Sequence, residues 1–402
     1  MINSSKYSYK RIFLINYKLF LFILSITPLY FFKNKYIKLF GSISVIIIFL
    51  LCIFDTAHRI EKIKVDKVWF WFLAFSSYNL ILLFRTPTAK GLYSFLLQTL
   101  LLLFISLFSS MSLNSKVIDA IFKWGRALYF VILVLSTIVL LESRRTVSGI
   151  FGNYFSTVVV FKIMLPCTFF FMPNSKFKFG KIIFFSFIFF MIEERTSLLT
   201  LLIIYLSYLV FKKIGSNKIL YNVLFVLTFI LMLSITNFYI QLQHTELGYF
   251  LNDIFRKYTG ENFFSGRQII WEVAHNYIKN KPIWGYGLDN ELMHISGIDL
   301  STHNTYIYIL LQGGSIGLLT FFMFVHAIYE RYFNNLNDDT IAFAAAYLIG
   351  MMVFINFEVT LIGNTVVLGI FLWFILGIGL VQCNNKRLLP IHNSNNEITF
   401  HK

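Results

Sequence analysis

The feature that most constrains this chain is a succession of apolar runs, most of them long enough to cross a bilayer, separated mainly by short polar connections. A helix needs roughly 20 mainly apolar residues to cross the hydrocarbon, somewhat fewer inside a bundle. By that measure spans are expected near 12–32, 37–54, 68–84, 91–110, 120–141, 154–172, 180–192, 196–211, 219–240, 304–328, 340–358 and 362–381. Composition points the same way. Of 402 residues, 57% are hydrophobic, 48 are Phe and 13% are charged, against roughly 25% charged in a soluble domain. A soluble globule of this size lacks the interior to hide so much apolar surface. The expected fold is an all-α polytopic membrane protein of about twelve transmembrane helices. A soluble enzyme, a disulfide scaffold and a disordered chain are excluded.

The formal charge of +16 invites a nucleic-acid reading, but Lys and Arg fall mostly between the apolar runs, where they set topology. With the N-terminus inside, the inner connections hold 19 Lys and Arg and the short outer ones 8. Both termini are therefore expected in the cytoplasm, with no nucleic-acid partner. The first run has no small-residue cleavage site after it and reads as a retained helix. Glu193, Glu194 and Arg195 divide 180–211 into two helices meeting at a membrane surface, because charges at a helix centre cost roughly 2.5–3.5 kcal/mol each. Cys52, Cys167 and Cys383 have no metal-ligand spacing and read as apolar residues.

One segment breaks the pattern. Residues 241–303 form a polar stretch placed outside the cytoplasmic membrane, with a helix-like piece from Gly266 to Lys279 and turn signals at Pro282 and Gly285-Tyr286-Gly287. No phosphate loop, HExxH or nucleophile elbow is present, so any chemistry belongs at this outer face. Arg195 fits two roles, a charge that sets orientation at a helix end and a bidentate fork for an anion. Arg267 opens an amphipathic segment in which Ile270, Trp271, Ala274 and Ile278 share a face, and it reads equally as a solvated charge. His303, before Asn304 and Tyr306, reads as a hydrogen-bonded interfacial residue or as a base. His244, His275 and His294 lack a recognisable setting.

Taken together, the order is specific. An Arg at the head of a span is followed by the long loop with S-G-R-x-x-I-W, then K-P-I-W-G-Y-G, then H-N-T-Y, then G-G-S-I-G-L inside the next span. Over about Gly180 to Leu380 this resembles the O-antigen ligase and polymerase superfamily of bacterial envelope glycosyltransferases, and Asn356-Phe357-Glu358 is similar to a feature of some ligases. The resemblance implies a helical fold related to the GT-C glycosyltransferases. It also implies transfer of a glycan from an undecaprenyl diphosphate carrier to a carrier-linked or lipid-anchored sugar acceptor, without metal or other cofactor. Arg195 and Arg267 match the family arginines that contact the diphosphate, and His303 matches the histidine near the acceptor, with Asn304 and Tyr306 beside it as substrate-binding residues. The chain departs from the pattern at Glu193 and Glu194, where many relatives have small or hydroxyl residues.

The resemblance assigns 1–179 to N-terminal helices, 180–381 to the catalytic region and 382–402 to a cytoplasmic polar tail. A flippase and a chain-length regulator are the implied protein partners. Polymerisation of O-antigen or capsular repeat units is the favoured reading, because the chain is rich in Phe, Ile, Asn and Lys in the style of such polymerases. Ligation to lipid A–core is the alternative. A lipid-linked oligosaccharide flippase is the reading from another class, but it would show two similar halves.

Overall fold

The computed structural model describes residues 66–113, 195–214, 217–259, 262–264, 266–288, 301–363 and 366–388, with a few single positions between 118 and 186. The regular structure among them is helical. In chain order the helices are α1 (Lys67–Arg85), α2 (Ala89–Ser110), α3 (Arg195–Ile214), α4 (Lys218–Leu242), α5 (Glu246–Thr259), α6 (Arg267–Asn280), α7 (Thr305–Tyr332), α8 (Asp339–Phe354) and α9 (Val366–Leu388). Their starts are written in the sequence. Asp66, Thr88, Asn217, Asn304 and Asp338 each turn a side-chain oxygen onto a free N–H of the first turn.

Seven of the twelve expected spans coincide with α1, α2, α3, α4, α7, α8 and α9. The runs at 12–32, 37–54, 120–141, 154–172 and 180–192 lie almost wholly outside the described residues. By length and composition, α1 to α4 and α7 with its 3-10 extension to Asn335 suffice to cross a membrane. Two boundaries differ from expectation. Helix α8 ends at Phe354 rather than 358, because the chain leaves the helix there to form a loop packed on the start of α7. Helix α9 runs to Leu388, past the expected start of the tail at Gln382, because Asn384 and Asn385 hydrogen-bond the backbone after α2.

Helix α8 is buried at Ile341, Tyr347, Met351 and nearly every other position, and a helix apolar all round belongs in an interior. It packs on α3 and α9, while α9 packs on α2 and α7 on α1. Tyr221 of α4 and Tyr329 of α7 stack with centroids 3.9 Å apart, each hydroxyl donating to the other's carbonyl.

Charged groups gather at one end of this bundle. Lys67 and Lys218 pair with Glu330, Lys212 with Asp339, and Lys386 with Asp338. All come from connections expected on the inner side. The opposite end holds the pieces of the 241–303 segment.

Helix α7 is broken inside. Gly314 has φ 60° and ψ −158°, a conformation open in practice only to glycine. The backbone groups freed by the break are taken up by the turn at 282–287. Tyr286 and Gly287 donate to the carbonyls of Leu311 and Gln312 at 2.8 and 2.9 Å, and Ser315 donates to the Pro282 carbonyl at 2.8 Å. The Tyr78 hydroxyl closes on the Gly313 carbonyl at 2.6 Å. A chain of buried amides supports the joint, from Asn79 to Gln98 to Gln312 and on to the Leu288 carbonyl. A Cβ on Gly285 would strike the backbone of Gln312 and Gly313, and one on Gly314 would strike Ile283. This explains why K-P-I-W-G-Y-G and G-G-S-I-G-L occur together.

Gly285→Ala and Gly314→Ala should each destabilise the protein by about 1–3 kcal/mol, the usual scale for overpacking. The check is the apparent melting temperature in detergent. Gly266→Ala, with nothing near the added carbon, should cost only the left-handed backbone term of about 1 kcal/mol.

Candidate functional site

The site forms where the start of α6, the start of α7 and the loop after α8 meet. Gly266 turns the chain with φ 84°, and Arg267 is the first residue of α6. The face expected from spacing is the buried one. Ile270, Trp271 and Ala274 pack with Ile307 and Leu311 of α7, and Ile278 joins them. Trp271 also donates its indole N–H to the Thr302 carbonyl at 2.7 Å, tying α6 to the residue before His303.

The loop after α8 is fixed to α7 by its backbone. Thr305 N–H donates to the Ile355 carbonyl and its hydroxyl to the Glu358 carbonyl, both at 2.8 Å. Asn304 caps α7 through Oδ1 and donates from Nδ2 to Asn356 Oδ1 at 3.0 Å, beside the Thr236 hydroxyl of α4. Asn304 and Asn356 are fully buried.

Glu358 stands between the two sequence-derived residues. Its Oε1 lies 3.1 Å from Arg267 Nη2 and its Oε2 lies 3.3 Å from His303 Nδ1. One carboxylate thus joins residues 36 positions apart in the chain. The Arg267 and Glu358 side chains are about one-fifth exposed, and His303 is 42% exposed, so the imidazole is the most accessible of the three. His303 also has φ 45°, the one left-handed backbone outside glycine among the described residues. Such a conformation costs of order 1–3 kcal/mol and persists where the surroundings impose it. Here the Trp271–Thr302 bond, the Asn304 cap and the Glu358 contact lie on either side of it.

Not every expected residue joins this cluster. Arg195 opens α3 and is exposed, its guanidinium carbon 4.9 Å above the Phe255 ring of α5. Tyr306 points into the bundle, its hydroxyl donating to the Met352 carbonyl at 2.8 Å. His244 contacts Glu272, and His294 and Glu193–Glu194 lie outside the described residues. Burial, with the Lys279 ammonium adding to it, holds His275 below the ordinary imidazole range. Among the described residues, no group of three or more His, Cys, Asp or Glu is placed to hold a metal. The signal for Glu358 was present as Asn356-Phe357-Glu358, but nothing in the spacing says which residues a carboxylate at the end of a span will meet.

Residues 180–322 match the family model described as O-antigen ligase. That stretch contains Arg195, Arg267, His303, Asn304 and Tyr306. The resemblance to the O-antigen ligase and polymerase superfamily holds. A Rickettsia conorii protein that bears the name of a polysaccharide ligase is 33% identical over 105 residues, a match covering 21% of this chain and 26% of the relative. The chain therefore matches about a quarter of that relative's length. Asn356 and Glu358 lie beyond the matched residues 180–322, and the fold brings them to Asn304, Arg267 and His303.

A carboxylate at Nδ1 favours the tautomer whose Nδ1–H donates to it, leaving Nε2 as the proton acceptor. The Glu358 contact uses one of the five N–H donors of Arg267. The left-handed backbone at His303 gives a direct test. His303→Ala and His303→Gly both remove the imidazole, but only glycine is relaxed at φ 45°. The glycine variant should be the more stable by about 1 kcal/mol in thermal unfolding.

Proposed function

We propose that the protein is a membrane glycosyltransferase that moves a glycan from an undecaprenyl-diphosphate carrier to a sugar hydroxyl at the outer face of the cytoplasmic membrane. The observation that carries this reading is the Glu358 carboxylate holding Arg267 and His303 in one cluster, within a chain whose residues 180–322 match the O-antigen ligase family model. The end rich in Lys, Arg and paired carboxylates is the cytoplasmic one in this reading, on the positive-inside rule.

In the reaction, the acceptor oxygen attacks the anomeric carbon, the bond from that carbon to the diphosphate oxygen breaks, and the hydroxyl proton passes to His303 Nε2. Glu358 orients the ring and stabilises the imidazolium that forms. Negative charge grows on the departing diphosphate, and Arg267, with Arg195 at the lipid boundary, supplies fixed positive charge where it develops. Guanidinium stays protonated at any working pH, so stabilising the leaving diphosphate does not itself require a metal. Asn304 and Tyr306 act by setting the start of α7, since their polar atoms are engaged within the protein.

The acceptor separates two versions of this reading. The composition favours polymerisation onto another carrier-linked repeat unit, while the family description and the name of the Rickettsia conorii relative favour ligation to a lipid anchor such as lipid A–core. Deleting the gene and resolving surface glycan on a gel distinguishes them. Single-repeat caps mean polymerase, and loss of all attached glycan means ligase.

Arg267→Ala and Arg195→Ala should abolish transfer with the protein still in the membrane, and Lys should restore little, because an ammonium lacks the bidentate fork. His303→Ala should reduce the rate by about 10²–10⁴-fold. It should also remove the acid limb of the pH–rate profile measured with a defined lipid-linked donor. A wild-type rate and profile in that variant would make His303 structural. His244→Ala and His275→Ala serve as controls and should stay near the wild-type rate.

A further inference from the structure

Helix α5 is divided into three sectors along its length. Gly248, Asn252 and Phe255, at helical spacing, form the docked sector. A Cβ on Gly248 would strike the Leu242 carbonyl, Asn252 accepts the Phe263 N–H at 2.9 Å, and Phe255 lies against Phe263 and beneath Arg195. A second sector carries Glu246, Asp253, Arg256 and Lys257. The third carries Leu247, Phe250, Leu251, Ile254 and Tyr258, spaced at i, i+3, i+4, i+7 and i+11 on one face. Leu247, Phe250 and Tyr258 are 54%, 60% and 77% exposed. Among residues 246–258, none other than the small Gly248 is buried.

From this geometry we infer that α5 lies in the membrane interface, with its third sector in the acyl region of a phospholipid bilayer and its charged sector among headgroups and water. Three observations select lipid as the occupant. The helix begins at Glu246, with only three residues between it and the end of the span α4 at Leu242, so it starts at the membrane surface. The flank of α4 is itself outward-facing and apolar, with Leu227, Ile230, Leu231 and Phe238 all at least half exposed, so the α5 sector continues a lipid-facing surface. The charged sector holds both signs, as a headgroup layer accommodates, and a helix with separate apolar and charged faces settles in that layer. Because Phe255 supports Arg195, α5 also keeps that guanidinium at headgroup depth.

Spin labels test this on the full chain, with Cys52, Cys167 and Cys383 replaced by Ala, in nanodiscs of phosphatidylethanolamine and phosphatidylglycerol. Labels at Phe250→Cys and Ile254→Cys should collide several-fold more with dissolved oxygen than with a water-soluble nickel chelate, and labels at Asp253→Cys and Arg256→Cys the reverse. Equal nickel access at all four positions would put the apolar sector in water and overturn the inference. Exclusion of both reagents at positions 250 and 254 would mean that protein covers the sector, and would overturn it equally. The readout measures no transfer, so it stands or falls apart from the catalytic reading.

Discussion

In lipid, a backbone N–H or C=O has no water to fall back on, and each one left unmet costs several kcal/mol. Helix α7 meets this constraint directly, because it breaks at Gly314, about ten residues in from its start. The break is tolerated because the turn at 282–287 lays its own backbone into the gap, with Tyr286 and Gly287 as donors and Pro282 as acceptor. That exchange requires two glycines in close approach and a chain of buried amides behind them. It anchors the start of the α6–α7 connection against α7.

The same helix carries the site at its start. Asn304 caps α7 and, through Asn356 and Thr236, joins three elements from distant parts of the chain. Glu358 lies two residues beyond Asn356 and reaches both Arg267 and His303. The buried asparagine pair and the Arg267–Glu358–His303 cluster are therefore one construction. The first fixes the backbone, and the second uses the positions so fixed. The left-handed backbone at His303 belongs to it as well, since residues held firmly on both sides tolerate a conformation that an isolated residue would leave.

Electrostatics differs between the two ends of the bundle. At one end Lys67, Lys212, Lys218 and Lys386 each have a carboxylate within 3.1 Å, and pairs on long exposed stems contribute little each. At the other end, Arg267 and Glu358 are mostly shielded from solvent, so their interaction is less screened and the charge on either is felt more strongly by a bound anion. In the proposed reaction, a diphosphate at that end would meet a guanidinium held beside its carboxylate partner.

The helices α1 to α4 and α7, long and apolar enough to cross a membrane, were legible in the sequence because a bilayer imposes one length and one composition on whatever crosses it. The caps obey a local rule, since Asp, Asn and Thr act on N–H groups two or three residues away. The buried face of α6 followed from its period, and Arg267 and His303 stood out by their motif order. The tertiary structure alone decided what lies between them. Glu358 is 91 residues from Arg267 and 55 from His303, and no local rule relates positions so far apart. Likewise Tyr306 looked available beside His303, yet the helical turn that begins at Asn304 directs its hydroxyl inward to Met352. Local chemistry depends on neighbours in the chain, whereas a site at the end of a helical bundle depends on which helix ends the packing brings together.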